Sequence, residues 1–191
     1  TCPVGVATQD PVLRQKLTPD FTIGCKRIIL SSTLYPALCR ANVKLHDKQE
    51  QAQRVLAGEA THIMLFGGSR SGKTFLLTRN VVFRALKAPK SRHAILRFRF
   101  NAIKSSVVLD TFPKVMQVAF PGVPYKLSKS DWYAEFDNGS QIWFAGLDDK
   151  ERTEKILGME FATIYLNECS QIPWGSVGIA VTRLAQKATQ V

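Results

Sequence analysis

A chain of 191 residues with 45% hydrophobic content has room for one ordinary domain with its own core, and its net charge of +11 points to an anionic partner. No apolar run approaches the roughly 18 residues of a membrane span, and "TCPVGVATQD" has no basic-then-apolar leader pattern, so the expectation is a cytoplasmic protein with no membrane partner. Cys2, Cys25, Cys39 and Cys169 form no C-x-x-C pair and have no His at ligand spacing, which argues against structural zinc and predicts free thiols.

Composition changes near residue 46. Residues 1–46 hold four of the nine prolines and show little helical periodicity, with one short strand expected at Arg27 to Leu30. A piece of this size is near the lower limit for an independent core. It reads as an irregular appendage to a second unit, 47–191. The chain does not begin with Met, which predicts a fragment.

From Asp47 the pattern becomes regular. "DKQEQAQRVLAG" predicts a helix stopped by Gly58. "THIMLF" predicts a buried strand, followed by a glycine-rich turn and an amphipathic helix over "KTFLLTRNVVFRALKA". "HAILRFRF" predicts a second strand, and a helix is expected from Ser105 to Ala119 that Pro113 must kink or interrupt. "WYAEFDNGSQIWFAG" predicts a hairpin turning at Asn138-Gly139. "FATIYL" predicts another buried strand, and a last helix is expected over Trp174 to Lys187. Strand and helix alternate, so the expected fold is α/β with a mostly parallel sheet flanked by helices and a β-hairpin insertion.

The turn after "THIMLF" is "GGSRSGKT", which fits G-x-x-x-x-G-K-[ST] at Gly67, Gly72, Lys73 and Thr74. Glycines let the backbone curl so that successive N–H groups point at a phosphate, and the helix that follows begins there with its positive end. Lys73 is expected to reach the β- and γ-phosphates and the Thr74 hydroxyl to ligate Mg²⁺. Gly68, Ser69, Arg70 and Ser71 complete the loop. Arg70 reads either as a solvent-facing side chain or as a cation reaching the γ-phosphate of its own or a neighbouring subunit's nucleotide. The second is the expectation, because an arginine so placed is worth several orders of magnitude in rate.

The stretch "FATIYLNECSQIP" carries the acid. A strand that runs into Asn167-Glu168 beside a phosphate loop places Glu168 to orient and deprotonate the attacking water. Asn167 stands where such strands carry Asp. Its carbonyl can still accept from a Mg²⁺-bound water, with one charge fewer and weaker metal retention. Between Ala60 and Leu109 there are ten Lys or Arg and no Asp or Glu, a solvated basic face or a surface for nucleotide or double-stranded DNA.

These motifs carry a resemblance. Residues 47–191 resemble the N-terminal ATPase domain of phage terminase large subunits, P-loop NTPases of the ASCE type that package DNA into capsids. The matching stretches are "HIMLFGGSRSGKTFLL", "SRHAILRFRFN", "NGSQIWFAGLDDKERTEKILG" and "FATIYLNECSQIP". The resemblance implies ATP and Mg²⁺ as cofactors. It implies an adenine-contacting glutamine, carried onto Gln49 ahead of Gln51, the catalytic glutamate on Glu168 and the loop arginine on Arg70. It also implies an arginine after the second strand. Arg97 and Arg99 share a face if "LRFRF" alternates, and Arg99 lies nearer the nucleotide end. Arg183 is a further candidate that reads first as a helix-surface residue. A small subunit, a portal and a homo-oligomeric ring are implied as partners. The family's coupling motif and nuclease domain are expected beyond the end of this chain.

"DPVLRQKLTPDFTIGCKRIILSSTLYPALCRANVKL" is similar instead to an internal stretch of flavin-dependent Baeyer–Villiger monooxygenases, whose NADPH-selecting lysine and peroxide-stabilising arginine would fall on Lys26 and Arg27. No G-x-G occurs in the chain, so the dinucleotide loops of such an enzyme are missing. Alternatives to the motor reading are a nucleotide-binding or assembly module that does not hydrolyse, and a helicase-like P-loop ATPase.

Overall fold

The computed structural model describes residues 45–58, 60–68, 70–148, 154, 156 and 158–186. The strand expected at Arg27 to Leu30, and Ser69 of the phosphate loop, lie outside the described residues.

The expected first helix is α1, Asp47–Leu56. The helix leaving the glycine-rich turn is α2, Lys73–Lys87, which buries Leu76, Thr78, Val81, Val82 and Ala85 on one stripe. β1 covers Arg92–Arg97. A continuous helical stretch then begins at Phe100, five residues before expectation. It runs as α3 (Phe100–Ile103), a π-helical segment (Lys104–Thr111) and α4 (Phe112–Ala119). Pro113 sits in the first turn of α4, where its missing N–H removes a bond and the helix changes register. The interruption expected at Pro113 therefore takes the form of a switch from π to α winding.

Next come β2 (Tyr125–Ser128), β3 (Tyr133–Phe136), β4 (Gln141–Gly146) and β5 (Thr163–Leu166). The predicted hairpin is β3–β4, antiparallel with Glu135 opposite Gln141 and a turn whose Gly139 has φ +75°. β2, which lacks a strong pattern of its own, adds antiparallel to β3. α5 spans Trp174–Val181, six residues shorter than expected.

The described sheet has the order β2-β3-β4-β1-β5. β4, β1 and β5 run parallel, with Ile95 opposite both Phe144 and Tyr165, while the hairpin side is antiparallel. Both faces are covered, and the period of two along each strand divides them. Ile95, Ile142 and Phe144 pack with α2, the π-helical segment and α4. Ala94, Leu96, Trp143 and Ala145 face Phe161 and Ala180 of α5. Phe112 is fully buried, with edge contacts to Phe144 at 5.3 Å and Tyr125 at 5.2 Å between ring centroids. An edge-to-face pair of this kind contributes about 0.5–1.5 kcal/mol beyond burial.

Two expectations fail here. "THIMLF" forms no strand: it pairs with no described strand, and Met64 and Phe66 stand exposed at 42% and 71%. Its apolar pattern reports a wish for burial, whereas a strand also needs a neighbour to accept its backbone bonds. The second strand also ends early. β1 stops at Arg97, and Arg99 is already the residue that starts α3. The alternation that placed Arg97 and Arg99 on one face does not extend past the strand.

Candidate active site

The phosphate loop is shaped by its backbone. Gly72 has φ +79° and begins α2 without a side-chain cap, so the first N–H groups of the helix have no side-chain cap from that position. No acid stands in the first turn of α2 to compete for its positive end. A Cβ added at Gly68 would meet nothing within 4 Å, so the loop has open space on that side. Arg70 is exposed with φ +59°, a left-handed conformation unusual for a non-glycine residue. Thr74 follows on the first turn of α2.

Lys73 folds back over this loop. Its ammonium donates to the carbonyls of Gly67 at 3.0 Å and Gly68 at 2.5 Å and to Ser71 Oγ at 2.8 Å. Three oxygens thus hold the cation on the loop itself.

Gln49 reaches the same loop from α1. Its Oε1 accepts from the His46 N–H at 3.2 Å, closing a capping box, and its Nε2 donates to the Ser71 carbonyl at 3.0 Å. A Cβ at Gly72 would come within 2.6 Å of that Nε2. The residue carried over as an adenine contact therefore stands against the loop, with both ends of its amide in use.

The acid sits at the end of β5. Asn167 is buried, and its N–H bonds to the Leu96 carbonyl at 2.7 Å, extending the β1–β5 ladder by one residue. Glu168 then breaks out of the strand with φ +52° and ψ +48° and opens the 3₁₀ turn Cys169–Gln171. Its carboxylate is paired with the guanidinium of Arg97, which also donates to Ser106 Oγ at 3.0 Å. Ser106 belongs to the π-helical segment and donates in turn to the Ala102 carbonyl at 2.6 Å. Arg97 is the residue that sequence reasoning passed over. The signal was present, since both arginines were noted at the strand's end, but the choice between them depended on where the strand stopped. Arg99 is exposed at the start of α3, and it is Arg97 that meets Glu168.

The neighbouring groups are chemically quiet. Burial pushes the Cys169 thiol up to about 11, so it is a poor nucleophile near neutral pH. Burial, with a lesser push from Cys169, also raises the Tyr165 phenol. His93, on β1, is held down to about 3 by burial and secondarily by Arg84, and it stays neutral against Ser91 Oγ at 2.8 Å.

Among the described residues no group of three or more His, Cys, Asp or Glu is placed to hold a metal ion, and no helix is long and apolar enough to cross a membrane. The oxygen donors that the sequence assigns to a metal stand apart on two elements, the Thr74 hydroxyl in the first turn of α2 and the buried Asn167 amide after β5. They fit a Mg²⁺ ion held mainly by phosphate oxygens and water, which needs only one or two protein ligands.

Comparison with known proteins supplies a family. A model described as terminase large subunit, T4likevirus-type, N-terminal, matches residues 64–188. Among solved structures, the large terminase from a thermophilic bacteriophage superposes with a TM-score of 0.63 at 15% identity, covering 78% of this chain and 38% of that one. The same terminase in complex with ADP gives 0.54 at 17% identity, covering 65% and 31%. In complex with ATP-gamma-S it gives 0.58 at 14%, covering 77% and 36%. These matches show a shared fold, and the chain spans little more than a third of that terminase's length. A Baeyer-Villiger monooxygenase of Streptomyces coelicolor is 68% identical over 40 residues, 21% of this chain and 8% of that protein. One from Pseudomonas aeruginosa is 65% identical over 34 residues, 18% and 6%.

Proposed function

The chain belongs to the terminase large subunit family, T4likevirus-type, N-terminal, and from that premise we propose that it is the ATP-binding and ATP-hydrolysing motor domain of a phage DNA-packaging machine. The observation that carries this reading is the loop at the start of α2, where Lys73 is centred on the carbonyls of Gly67 and Gly68. Backbone N–H groups of the loop bind the phosphates, and Lys73 exchanges its loop oxygens for theirs. Arg70, exposed on the loop, neutralises charge on the γ-phosphate in its own or an adjacent subunit. Gln49 links nucleotide occupancy to α1 through Ser71. Glu168 takes a proton from the attacking water, and Thr74 and, through a water, Asn167 would hold Mg²⁺. When bound, that ion neutralises charge on the β- and γ-phosphates.

The whole machine's partners extend the proposal: double-stranded DNA on the basic stretch between Ala60 and Leu109, a small subunit, a portal, and a ring of copies in the host cytoplasm. DNA held through phosphates would bind without sequence preference and weaken steeply with salt. Residues 1–46 form a separate, monooxygenase-like piece in this reading and contribute no flavin chemistry, so the purified protein should be colourless.

Calorimetric titration of Mg·ATP into the protein, with Lys73→Ala beside it, tests the reading. Binding abolished by the substitution supports it, and absence of binding to the folded wild-type chain refutes it. A second reading, a binding module without turnover, draws on Asn167 in the usual acid's place and on the Arg97 partner of Glu168. Under that reading Glu168→Gln leaves phosphate release unchanged from an already negligible level.

A further inference from the structure

We propose that Arg84 is a positioning residue for nucleotide binding: from the last turn of α2 it fixes α1, and through α1 it sets the Gln49 amide against the phosphate loop. The inference rests on the ATP-binding reading above and adds to it a residue remote from the loop.

Little of α1 itself holds it in place. It is 10 residues long, shorter than the roughly 12–15 an isolated helix needs in water. Leu56 is its one buried residue. The position of α1 therefore depends on a few bonds at its two ends. At the N-terminal end the Gln49 amide donates to the Ser71 carbonyl at 3.0 Å. At the C-terminal end the Arg84 guanidinium donates to the Leu56 carbonyl at 3.4 Å. The last carbonyls of a helix have no partner within it, and a cation placed there also meets the negative end of the helix dipole.

Both bonds lead to α2. Ser71 and Gly72 stand at its start and Arg84 in its last turn, so the two helices run the same way with like ends tied. At 1.5 Å a residue, Gln49 to Leu56 spans about 10 Å and Gly72 to Arg84 about 18 Å. Helical side chains lean toward the N-terminus, and the long Arg84 side chain reaches back over the difference. Its guanidinium has a second arm, to Thr163 Oγ1 at 3.2 Å at the start of β5. That arm backs the grip on α1 with the sheet. The two Arg84 bonds are partly shielded from water, whereas the Gln49 bond is exposed and competes with it. An exposed bond of this kind persists only where its donor is already held in place. A Cβ on Gly72 would lie 2.6 Å from Gln49 Nε2, so a small displacement of α1 changes how this amide sits on the loop. Arg84 belongs to the acid-free basic stretch between Ala60 and Leu109, yet its partners lie inside the domain.

The test is a double-mutant cycle of Arg84→Met and Gln49→Ala on the full chain, read as the Kd of Mg·ATP by calorimetry. Arg84→Met keeps the aliphatic stem and removes both arms. Alone it should weaken binding about fivefold or more, and in the Gln49→Ala background less than about twofold, because the residue it acts through is gone. Turnover gives the second readout: the loss should appear in KM at unchanged kcat, the pattern of weakened uniform binding. Arg84→Lys, which keeps a charged donor for the Leu56 carbonyl, should recover part of the affinity. Should Arg84→Met fail to fold, Arg84→Lys replaces it in the cycle, with a smaller loss that again vanishes beside Gln49→Ala. Thr163→Ala removes only the arm to β5 and should cost less than Arg84→Met. Wild-type affinity in Arg84→Met, equal loss in both backgrounds, or a loss in Thr163→Ala as large as in Arg84→Met overturns the positioning role alone. A folded wild-type chain that binds no Mg·ATP overturns the ATP-binding reading, and this inference with it.

Discussion

The phosphate-loop cluster and the acid cluster are held in different ways. On the phosphate-loop side, among the described residues, Lys73 bonds to oxygens within six residues of itself, and a long-range bond from Gln49 to the Ser71 carbonyl ties the loop to α1. On the acid side, Glu168, Arg97 and Ser106 come from the turn after β5, from β1 and from the π-helical segment, Arg97 lying 71 residues from Glu168 and 9 from Ser106 along the chain. A local motif shapes itself from glycine geometry and helix polarity. A tertiary cluster takes shape only when the sheet does. Function on the first side should therefore be separable from stability, and on the second the two should move together.

The sharpest break is Lys73→Ala. It removes the loop's cation and should lower Mg·ATP affinity about a hundredfold or more, as expected for losing charge-assisted bonds to phosphate, with little change in the denaturation midpoint. Calorimetry and urea unfolding on one preparation check both halves. Next is Glu168→Gln, for which turnover should fall by about 10²–10⁴, the usual worth of a general base, while ATP affinity stays within a few-fold. Its unfolding free energy should drop as well, because the buried Arg97 guanidinium loses its charged partner. Unaltered stability in Glu168→Gln would break the contrast between the two sides.

Gly72→Ala probes the hinge between loop and helix. A side chain at φ +79° costs about 1–2 kcal/mol, and the Gln49 amide 2.6 Å from the new Cβ must also move. Adding Gln49→Ala should recover the second part of the loss but not the first. A full recovery would mean that contact, not backbone conformation, sets the preference for glycine.

The smallest effect at working pH comes from His93, on the strand that also carries Arg97. Its folded value near 3 lies below the ordinary 6.5, so the unfolded chain takes up the proton first. The stability it contributes is complete above pH 6.5 and is lost as pH falls from there toward 3. At pH 5.5 the loss should be on the order of 1 kcal/mol. Chemical unfolding between pH 7.5 and 5, compared with His93→Gln, should show the wild-type curve falling more steeply. Parallel curves would contradict the burial of a neutral imidazole.

Much of this was legible beforehand because it was local or periodic. Gly67, Gly72 and Lys73 mark a phosphate loop by spacing alone, Asn138-Gly139 marks the hairpin, and the alternation of strand and helix along the chain announces a sheet flanked by helices. Other features were illegible for stated physical reasons. "THIMLF" has the hydrophobicity of a strand, but pairing is a property of two segments, and no described strand lies beside it. Arg97 and Arg99 look alike in an alternating run, and only the strand's end at Arg97 separates them. That end is set by Phe100, which packs into the core with Ile103 and starts α3, its N–H meeting the Asp148 carboxylate at 3.2 Å.

By itself, then, the order of residues determined the α/β class, the phosphate loop, the hairpin and the acid at the end of β5, because each rests on backbone preference or on a period of two or 3.6. The tertiary structure decided which arginine meets that acid, that Gln49 braces the loop, and that a π-helical turn brings Ser106 to Arg97. Those choices depend on distances between segments far apart in the chain, which become definite only once the shared core has packed.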